Sequence, residues 1–168
     1  KPAGAEAIDR EDVELVPRAA DAHGLLADAC AAQGSWYDAE IHAVLARALA
    51  PDDASAHVRL AHLLVEGYGG RRNREAAEEL REASLLRPGE PQIQYRLGVV
   101  EQALGNWEAA VTALEAFTRT SPEGPEALDA EHRLTALARQ SPESPDSPPP
   151  EPLTLPAGAE ARYRIALE

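Results

Sequence analysis

One pattern of residues occurs twice in the chain and restricts its fold more than any other feature of the sequence. A glycine, an aromatic residue, an alanine and a proline recur in the same order. They are Gly34, Trp36, Ala39 and Pro51, and then Gly105, Trp107, Ala110 and Pro122. A repeat unit of about 34 residues with these features is typical of two helices joined by a tight turn. Because one such pair cannot bury its apolar face alone, the pairs stack into an α-solenoid.

The helix signals divide the chain into three repeats and a terminal helix. The repeats are predicted over residues 20–53, 54–90 and 91–124, and a capping helix over residues 125–139. The last helix is expected to shield the open end of the stack, as solenoid ends require. The fold class predicted is therefore all-α, a right-handed solenoid of about three helix pairs with a cap.

Polar and small residues mark the ends of the predicted helices and their contacts. Ser35 opens the second helix with a spacing that resembles a capping box, and Asp52 and Asp53 are expected to cap the third. Only small side chains fit where the two helices of a repeat cross, since overpacking costs about 1–3 kcal/mol. The small residues predicted at the crossings are Ala27, Ala61 and Gly98, facing Ala39, Ala76 and Ala110. The residues predicted to fill the layer between repeats are Leu26, Leu60 and Leu97.

The segments outside the repeats have different compositions. Residues 1–19 form an acidic lead-in that is expected to be partly helical. Residues 141–152 are rich in Ser, Pro and acidic residues, which predicts a linker. Residues 153–168 alternate apolar and polar side chains across a turn, which favours short strands. This β-like tail is expected to dock on the solenoid, to pair with another chain, or to begin a β domain.

Charge and cysteine content exclude several functions. The formal net charge of -13 argues against binding nucleic acid or anionic membranes, because both require clustered Lys and Arg. No apolar run approaches the roughly 20 residues of a membrane span. Cys30 is the only cysteine, so the chain has no haem-attachment motif and is not itself a c-type cytochrome. We interpret Cys30 as a small core residue without a redox role.

No constellation of residues predicts catalysis or a cofactor. The run Gly67-Tyr68-Gly69-Gly70 lacks the Lys-Ser or Lys-Thr of a phosphate loop. His57 and His62 are five residues apart, whereas a metal held by one helix prefers a spacing of four. His23 and His57 are expected to pack between repeats, and His42 to stand alone. We therefore predict a protein that is not an enzyme and binds neither a metal nor a cofactor.

The first helices of the repeats are expected to line a concave groove. The residues predicted to contact a partner there are Asp28, Ser55, Val58, Arg59, His62, Val65, Gln92, Tyr95, Arg96, Val99 and Gln102. Three valines and a tyrosine predict an apolar surface suited to a helix or an extended peptide. Tyr95 is the strongest candidate, since it adds a large contact area at little entropic cost. In the alternative interpretation, these residues pack against the capping helix or the tail.

Over residues 20 to 139 the sequence resembles the tetratricopeptide repeat family. Members of this family that bind chaperone C termini use Lys and Asn in the groove, which are absent here, although Arg59 and Arg96 remain available to an acidic end. The departures from the family pattern are Arg71 to Asn73, in place of a tight turn, and Phe117, in place of a small residue. Phe117 leaves open whether the last helix packs as a regular fourth repeat.

The turn at Gly67 to Gly70 and the residues around Pro88 and Pro122 are more narrowly similar to the tetratricopeptide subunit of the c-type cytochrome maturation (haem lyase) machinery. That resemblance implies a periplasmic or membrane-associated protein with apocytochrome c or haem-lyase components as partners. The cytoplasm is the other compartment that the sequence allows.

Two functions follow as hypotheses. In the first, the chain is a non-catalytic interaction module that binds a peptide or helix in its groove, with apocytochrome c delivery as the most specific form. In the second, it is a structural subunit of a stable complex, with the C-terminal tail docked on itself or on a neighbour.

Overall fold

The computed structural model describes residues 10–140 of the chain, with side chains described from Val16 to Arg139. This part contains seven α helices and no strand. The helices are α1 (Arg10–Ala32), α2 (Trp36–Leu49), α3 (Ala54–Glu66), α4 (Asn73–Leu86), α5 (Pro91–Ala103), α6 (Trp107–Thr120) and α7 (Pro125–Gln140). The predicted linker, residues 141–152, and the predicted tail, residues 153–168, lie outside the described residues.

The helices form three antiparallel pairs and a cap. α1 packs on α2, α3 on α4 and α5 on α6, each pair packs on the next, and α7 packs on α6. The all-α solenoid predicted from the repeats is confirmed. α1 begins at Arg10 and passes through Pro17, so the lead-in is helical from its tenth residue onward. A proline inside a helix lacks one backbone donor, and α1 continues past Pro17 despite this loss.

Glycines with positive φ form the tight turns. Gly34 and Gly105 have φ of 76° and 78°, a region that side chains with a Cβ rarely adopt. The turn between α3 and α4 spans residues 67–72, compared with residues 33–35 and 104–106 in the other pairs. The second repeat, in which Arg71 to Asn73 stand in place of the tight turn usual in the family, therefore has the longest turn of the three pairs.

Side chains from the long turn anchor it to the preceding repeat. The Tyr68 hydroxyl donates a hydrogen bond to the Glu40 carboxylate of α2. Arg72 donates to the same carboxylate at 2.6 Å and lies over the Tyr68 ring, 4.9 Å from its centroid. Arg72 also bonds Glu75, which holds the pKa of the Glu75 carboxyl below its usual value. The arginine-rich turn is thus bonded within the chain.

One predicted helix cap is confirmed and one is wrong. Asp53 Oδ1 accepts a hydrogen bond from the Ser55 backbone N–H at 3.0 Å. The side chain of Ser35 makes no capping hydrogen bond. Its backbone, at φ −83° and ψ 66°, lies outside the extended region in which a serine at this position reaches the following N–H groups.

The residues at the helix crossings are as small as predicted, and they are buried. Ala27, Ala39, Ala61, Ala76 and Ala110 are all buried. Gly98 is buried as well, and a Cβ on it would lie 2.6 Å from Leu114 Cγ.

The three leucines expected to fill the layer between repeats differ in how deeply they are buried. Leu60 is buried and Leu97 is partly buried, whereas Leu26 is exposed. The prediction for Leu26 is wrong, because no helix of the described part precedes α1 and covers that face.

Phe117 joins the cap to the last repeat. Its fully buried side chain forms one cluster with Ala127, Ala130 and Leu137 of α7. The large residue takes up the space that the small α7 residues leave, so α7 packs directly on α6. The Phe117 ring also contacts the Tyr95 ring, with centroids 5.1 Å apart.

Candidate functional site

The structure brings ten of the eleven predicted partner-binding residues to two adjoining cavities, which we call the groove. The first has a volume of about 370 Å³ and the second about 280 Å³. His62, Gln92 and Arg96 line both cavities, so the two are halves of one surface. α3 and α5 provide most of the lining, and α1 contributes Asp28.

The first cavity is polar. It is lined by Asp28, Ala54, Ser55, Val58, Arg59, His62, Arg87, Glu90, Gln92, Ile93 and Arg96. Arg59 Nε donates to Asp28 Oδ1 at 3.0 Å, which neutralises both charges. The Arg59 guanidinium also occupies the space above Gly24, where a Cβ would lie 2.7 Å from Nη1. Arg59 is thus held in place by α1 and is less available to a ligand than expected from the sequence.

Arg96 is the cation that the groove leaves available. It is exposed, lines both cavities, and makes no hydrogen bond or ion pair among residues 16–139, whose side chains the structure describes. A guanidinium offers five N–H donors in a planar arrangement that matches a carboxylate. Its position at the junction of the cavities lets it meet an anionic group of a ligand that occupies either half.

The second cavity is mainly apolar. It is lined by Ala61, His62, Val65, Glu66, Leu80, Gln92, Tyr95, Arg96, Val99, Val100 and Glu126. Val65 packs against the core that contains Leu80 and Val100, so its position is set by the helix packing. The apolar surface expected from the sequence is thus confined to one half of the groove, and the other half is lined mainly by polar and charged residues.

α7 occupies part of the predicted contact surface. The Tyr95 hydroxyl donates to Asp129 Oδ2 at 2.7 Å, and Arg133 Nη1 donates to Gln102 Oε1 at 2.7 Å. Gln102 lines neither cavity, whereas Tyr95 still contributes to the second. Gln102 therefore packs against the capping helix, as the alternative interpretation predicted. Tyr95 does so through its hydroxyl and also lines the second cavity.

These contacts shift two acid-base equilibria. Burial raises the pKa of the Tyr95 hydroxyl, and its bond to Asp129 adds to the shift. The guanidinium of Arg133 holds the pKa of the Asp129 carboxyl below its usual value, with a further contribution from Tyr95. Asp129 is thus charged and bonded from two sides at neutral pH, which fixes α7 across one end of the groove.

Several lining residues were not predicted. Arg87 and Glu90 flank Pro88 in the loop between α4 and α5, where their charge and the adjacent proline were the only signals. Glu126 reaches the second cavity from α7, and nothing in its local sequence indicates this position. Its placement depends on how the cap packs.

The histidines are arranged differently from the prediction. His57 is buried, with Nδ1 2.7 Å from Glu79 Oε2 and Nε2 2.9 Å from the Pro51 carbonyl oxygen. His23 packs within the first repeat and not between repeats, because its Nδ1 lies 3.1 Å from Nδ1 of His42 and the two rings stack, so His42 does not stand alone. Among residues 10–140, no group of three or more His, Cys, Asp or Glu side chains is placed to hold a metal ion. Within the same range, no helix has the length and apolar character needed to cross a membrane.

The fold defined by these helix pairs, their small crossing residues and their cap is the tetratricopeptide repeat fold. Residues 67–125 match the sequence profile of the tetratricopeptide repeat family. A search of curated proteins finds no match.

Solved structures agree with this fold assignment. The tetratricopeptide domain of Arabidopsis OM64 is 18% identical over 72% of this chain and 98% of that chain, with a TM-score of 0.64. The TPR2B domain of yeast Sti1, in a complex with an Hsp70 segment, is 17% identical over 74% and 99%, with a TM-score of 0.64. The Yersinia enterocolitica secretion chaperone SycD, in complex with a peptide of the translocator YopD, is 15% identical over 79% and 93%, with a TM-score of 0.56.

Proposed function

We propose that this chain is a non-catalytic interaction module that binds an extended peptide segment in the groove. The observation that carries the proposal is the composite surface formed by the two cavities, in which an apolar half and a polar half meet at Arg96. Segments bound by such surfaces place apolar side chains in pockets and use a few polar contacts to set their register.

The groove defines what the peptide must offer. An apolar side chain of the peptide would contact Val65 and Val99 in the second cavity. An acidic side chain or a terminal carboxylate would meet Arg96, and neutral polar groups would face Ser55 and Gln92. Because the chain carries a net charge of -13, its surface away from Arg96 would repel a ligand with many acidic residues. The proposed ligand is therefore a mainly apolar segment with one acidic group.

Complexes of similar folds support this class of function. The yeast Sti1 domain was solved with an Hsp70 segment, and the Yersinia chaperone with a peptide of the translocator YopD. Identities of 15–17% establish a shared fold and not a shared ligand. The support for peptide binding by this chain comes from its own cavities.

Apocytochrome c binding is the more specific form of the proposal, and it rests on sequence resemblance alone. The comparisons support the tetratricopeptide class and do not reach the cytochrome maturation subunit. The turn at residues 67–72, which contributed to that resemblance, also has a structural role, because Tyr68 and Arg72 anchor it to α2. A periplasmic or membrane-associated location and haem-lyase partners remain predictions of the same kind.

Selection from a displayed peptide library on the purified chain tests the proposal. We expect selected peptides to combine apolar residues with one acidic group and to lose at least tenfold in affinity for the Arg96→Glu variant. Arg74→Glu is the matched control, since Arg74 is exposed on α4, away from the groove residues, and has no polar partner among the described residues. Equal binding by both variants would refute a role for Arg96, and failure to select any groove-dependent peptide would refute the module.

Crosslinking separates this proposal from the structural-subunit hypothesis. A benzophenone amino acid at Val99 reports what occupies the apolar half of the groove. Competition by a selected peptide would support exchangeable binding. A crosslink to residues 153–168 of the chain, unaffected by peptide, would favour a permanently filled groove and a structural role.

A further inference from the structure

The outward face of α2 differs from those of the two equivalent helices. Ala39, Ala76 and Ala110 are buried at the same position of α2, α4 and α6, which aligns the three helices residue by residue. Four positions on the outward face can then be compared between the helices. In α2 they are Tyr37, Ile41, Val44 and Ala48. In the same order they are Arg74, Glu78, Arg81 and Leu85 in α4, and Glu108, Thr112, Glu115 and Arg119 in α6. Where α4 and α6 carry mainly charged or polar residues, α2 carries four apolar ones.

The apolar residues of α2 form a continuous stripe. Tyr37, Ile41, Val44 and Ala48 are separated by four, three and four residues, the spacing of a helix face that packs on another helix. Leu45 lies beside them, and the exposed fractions of the four large residues run from 36% to 72%. We call this set the α2 stripe. α2 packs on its neighbours through the opposite face, so no described part of the chain covers the α2 stripe.

The tertiary fold does not require apolar residues at these positions. α4 and α6 occupy the same place in their repeats with charged or polar residues at all of these positions except Leu85, and both helices pack normally. Clustered exposed apolar residues in an otherwise highly charged chain are a mark of an interaction surface. The groove is not involved, because no residue of α2 lines either cavity.

We propose that the α2 stripe binds the same stripe of a second copy of the chain, with the two helices antiparallel about a two-fold axis. Reversal of the stripe places Tyr37 against Ala48 of the second copy and Ile41 against Val44. The largest side chain therefore meets the smallest at both ends, and two branched residues of similar size meet at the centre. A surface that is complementary to its own reversed copy forms a closed dimer.

Few of the charges on α2 are left unpaired, which limits the repulsion between two copies at this helix. Two copies that each carry a net charge of -13 repel one another wherever their charged faces meet. On α2, Glu40 is bonded to Arg72 at 2.6 Å, and Arg47 is paired with Glu79 at 3.4 Å. Two of the three charged residues of α2 are thus neutralised within one chain, which leaves Asp38 as the charge that two copies bring towards each other.

The size of the surface predicts the strength of the dimer. The stripe covers about three helical turns, roughly 16 Å in length. A single helix face on each copy gives an interface below the roughly 1,200–2,000 Å² found in stable complexes, in the range of weak associations. We therefore expect a dimer that dissociates on dilution in the micromolar range.

Sedimentation velocity of the full chain over a concentration series tests the proposal. The wild type is expected to shift from monomer to dimer, and Ile41→Glu to stay monomeric at concentrations where the wild type is mainly dimeric. Thr112→Glu, at the equivalent position of α6, is the matched control and is expected to dimerise normally. Circular dichroism checks that both variants fold, which their exposed or partly exposed positions allow. A monomeric wild type, or equal dimerisation by both variants, would overturn the proposal.

A benzophenone amino acid at Ile41 identifies what lies on the α2 stripe. The expected product is a dimer in which the probe is joined to α2 of the second copy, near Val44. Attachment to residues 1–9 or 153–168 of the same chain would show that the chain covers its own stripe, and would contradict the dimer. Attachment only to other proteins, in a cell that expresses the variant, would contradict it as well.

Discussion

At the scale of single residues, the tightest constraint lies at Gly98. A Cβ there would lie 2.6 Å from Leu114 Cγ and 3.3 Å from the Ala110 carbonyl oxygen. Leu114 is fully buried and cannot move aside without disturbing the core. We expect Gly98→Val to lower the free energy of unfolding by about 1–3 kcal/mol, measured by urea denaturation. Gly89→Ala, where a Cβ meets nothing within 4 Å, should change stability by less than about 0.5 kcal/mol.

Glu101 is a second residue whose environment leads to a prediction. Its side chain is 1% exposed, yet it accepts bonds from Arg81 at 2.5 Å and Asn106 at 2.7 Å. Arg81 and Asn106 are exposed, so water can solvate both when the carboxylate is removed. Glu101→Leu should therefore change stability by less than about 1 kcal/mol, whereas Glu101→Ala, which leaves a cavity, should cost at least about 2 kcal/mol. Thermal unfolding of both variants checks this, and a loss above about 3 kcal/mol in Glu101→Leu would contradict it.

At the scale of helices, α7 is held by polar contacts as well as by its apolar cluster. The Asp129 pKa lies below the usual value of 3.8, chiefly because of Arg133. A carboxyl with a lowered folded-state pKa stabilises the fold above its unfolded-state pKa, and this contribution is lost as the pH falls through the folded-state pKa. We expect acidification below about pH 4 to lower the hydrogen-exchange protection of α7 amides more than that of α3 amides. Asp129→Asn should reduce this pH dependence, and Glu131→Gln, an exposed change on the same helix, should not.

At the scale of the whole molecule, each helix packs mainly on its neighbours in sequence. Stability in such a stack is approximately a sum of repeat and neighbour contributions, so a central defect spreads farther than a terminal one. Leu60→Ala, in the central core, should lower hydrogen-exchange protection in α1 through α6. Leu137→Ala, in the terminal cluster, should lower it in α7 and α6 and leave α3 unchanged. If both changes lowered hydrogen-exchange protection equally in all seven helices, the expected dependence on position in the stack would be contradicted.

The candidate site was predictable to the extent that it follows helix periodicity. Residues such as Val58 and Val99 were placed correctly because the first helix of each repeat presents the same face to the groove. Tyr95 and Gln102 were assigned to a partner, but their polar groups bond α7, which is distant in sequence. Periodicity describes which face a residue lies on and does not describe which helix covers that face.

The sequence by itself determined the number of helix pairs, their small crossing residues and the long turn, because all three follow from local spacing. Glycine at Gly34 and Gly105 and the alanines at the crossings act within one repeat, so their effect can be read residue by residue. Only the tertiary structure decided that Arg59 is paired and Arg96 is not, and that the groove has two halves. It also decided that the outward face of α2 is uncovered within the described residues. These properties depend on distances between separate helices, which no local pattern specifies.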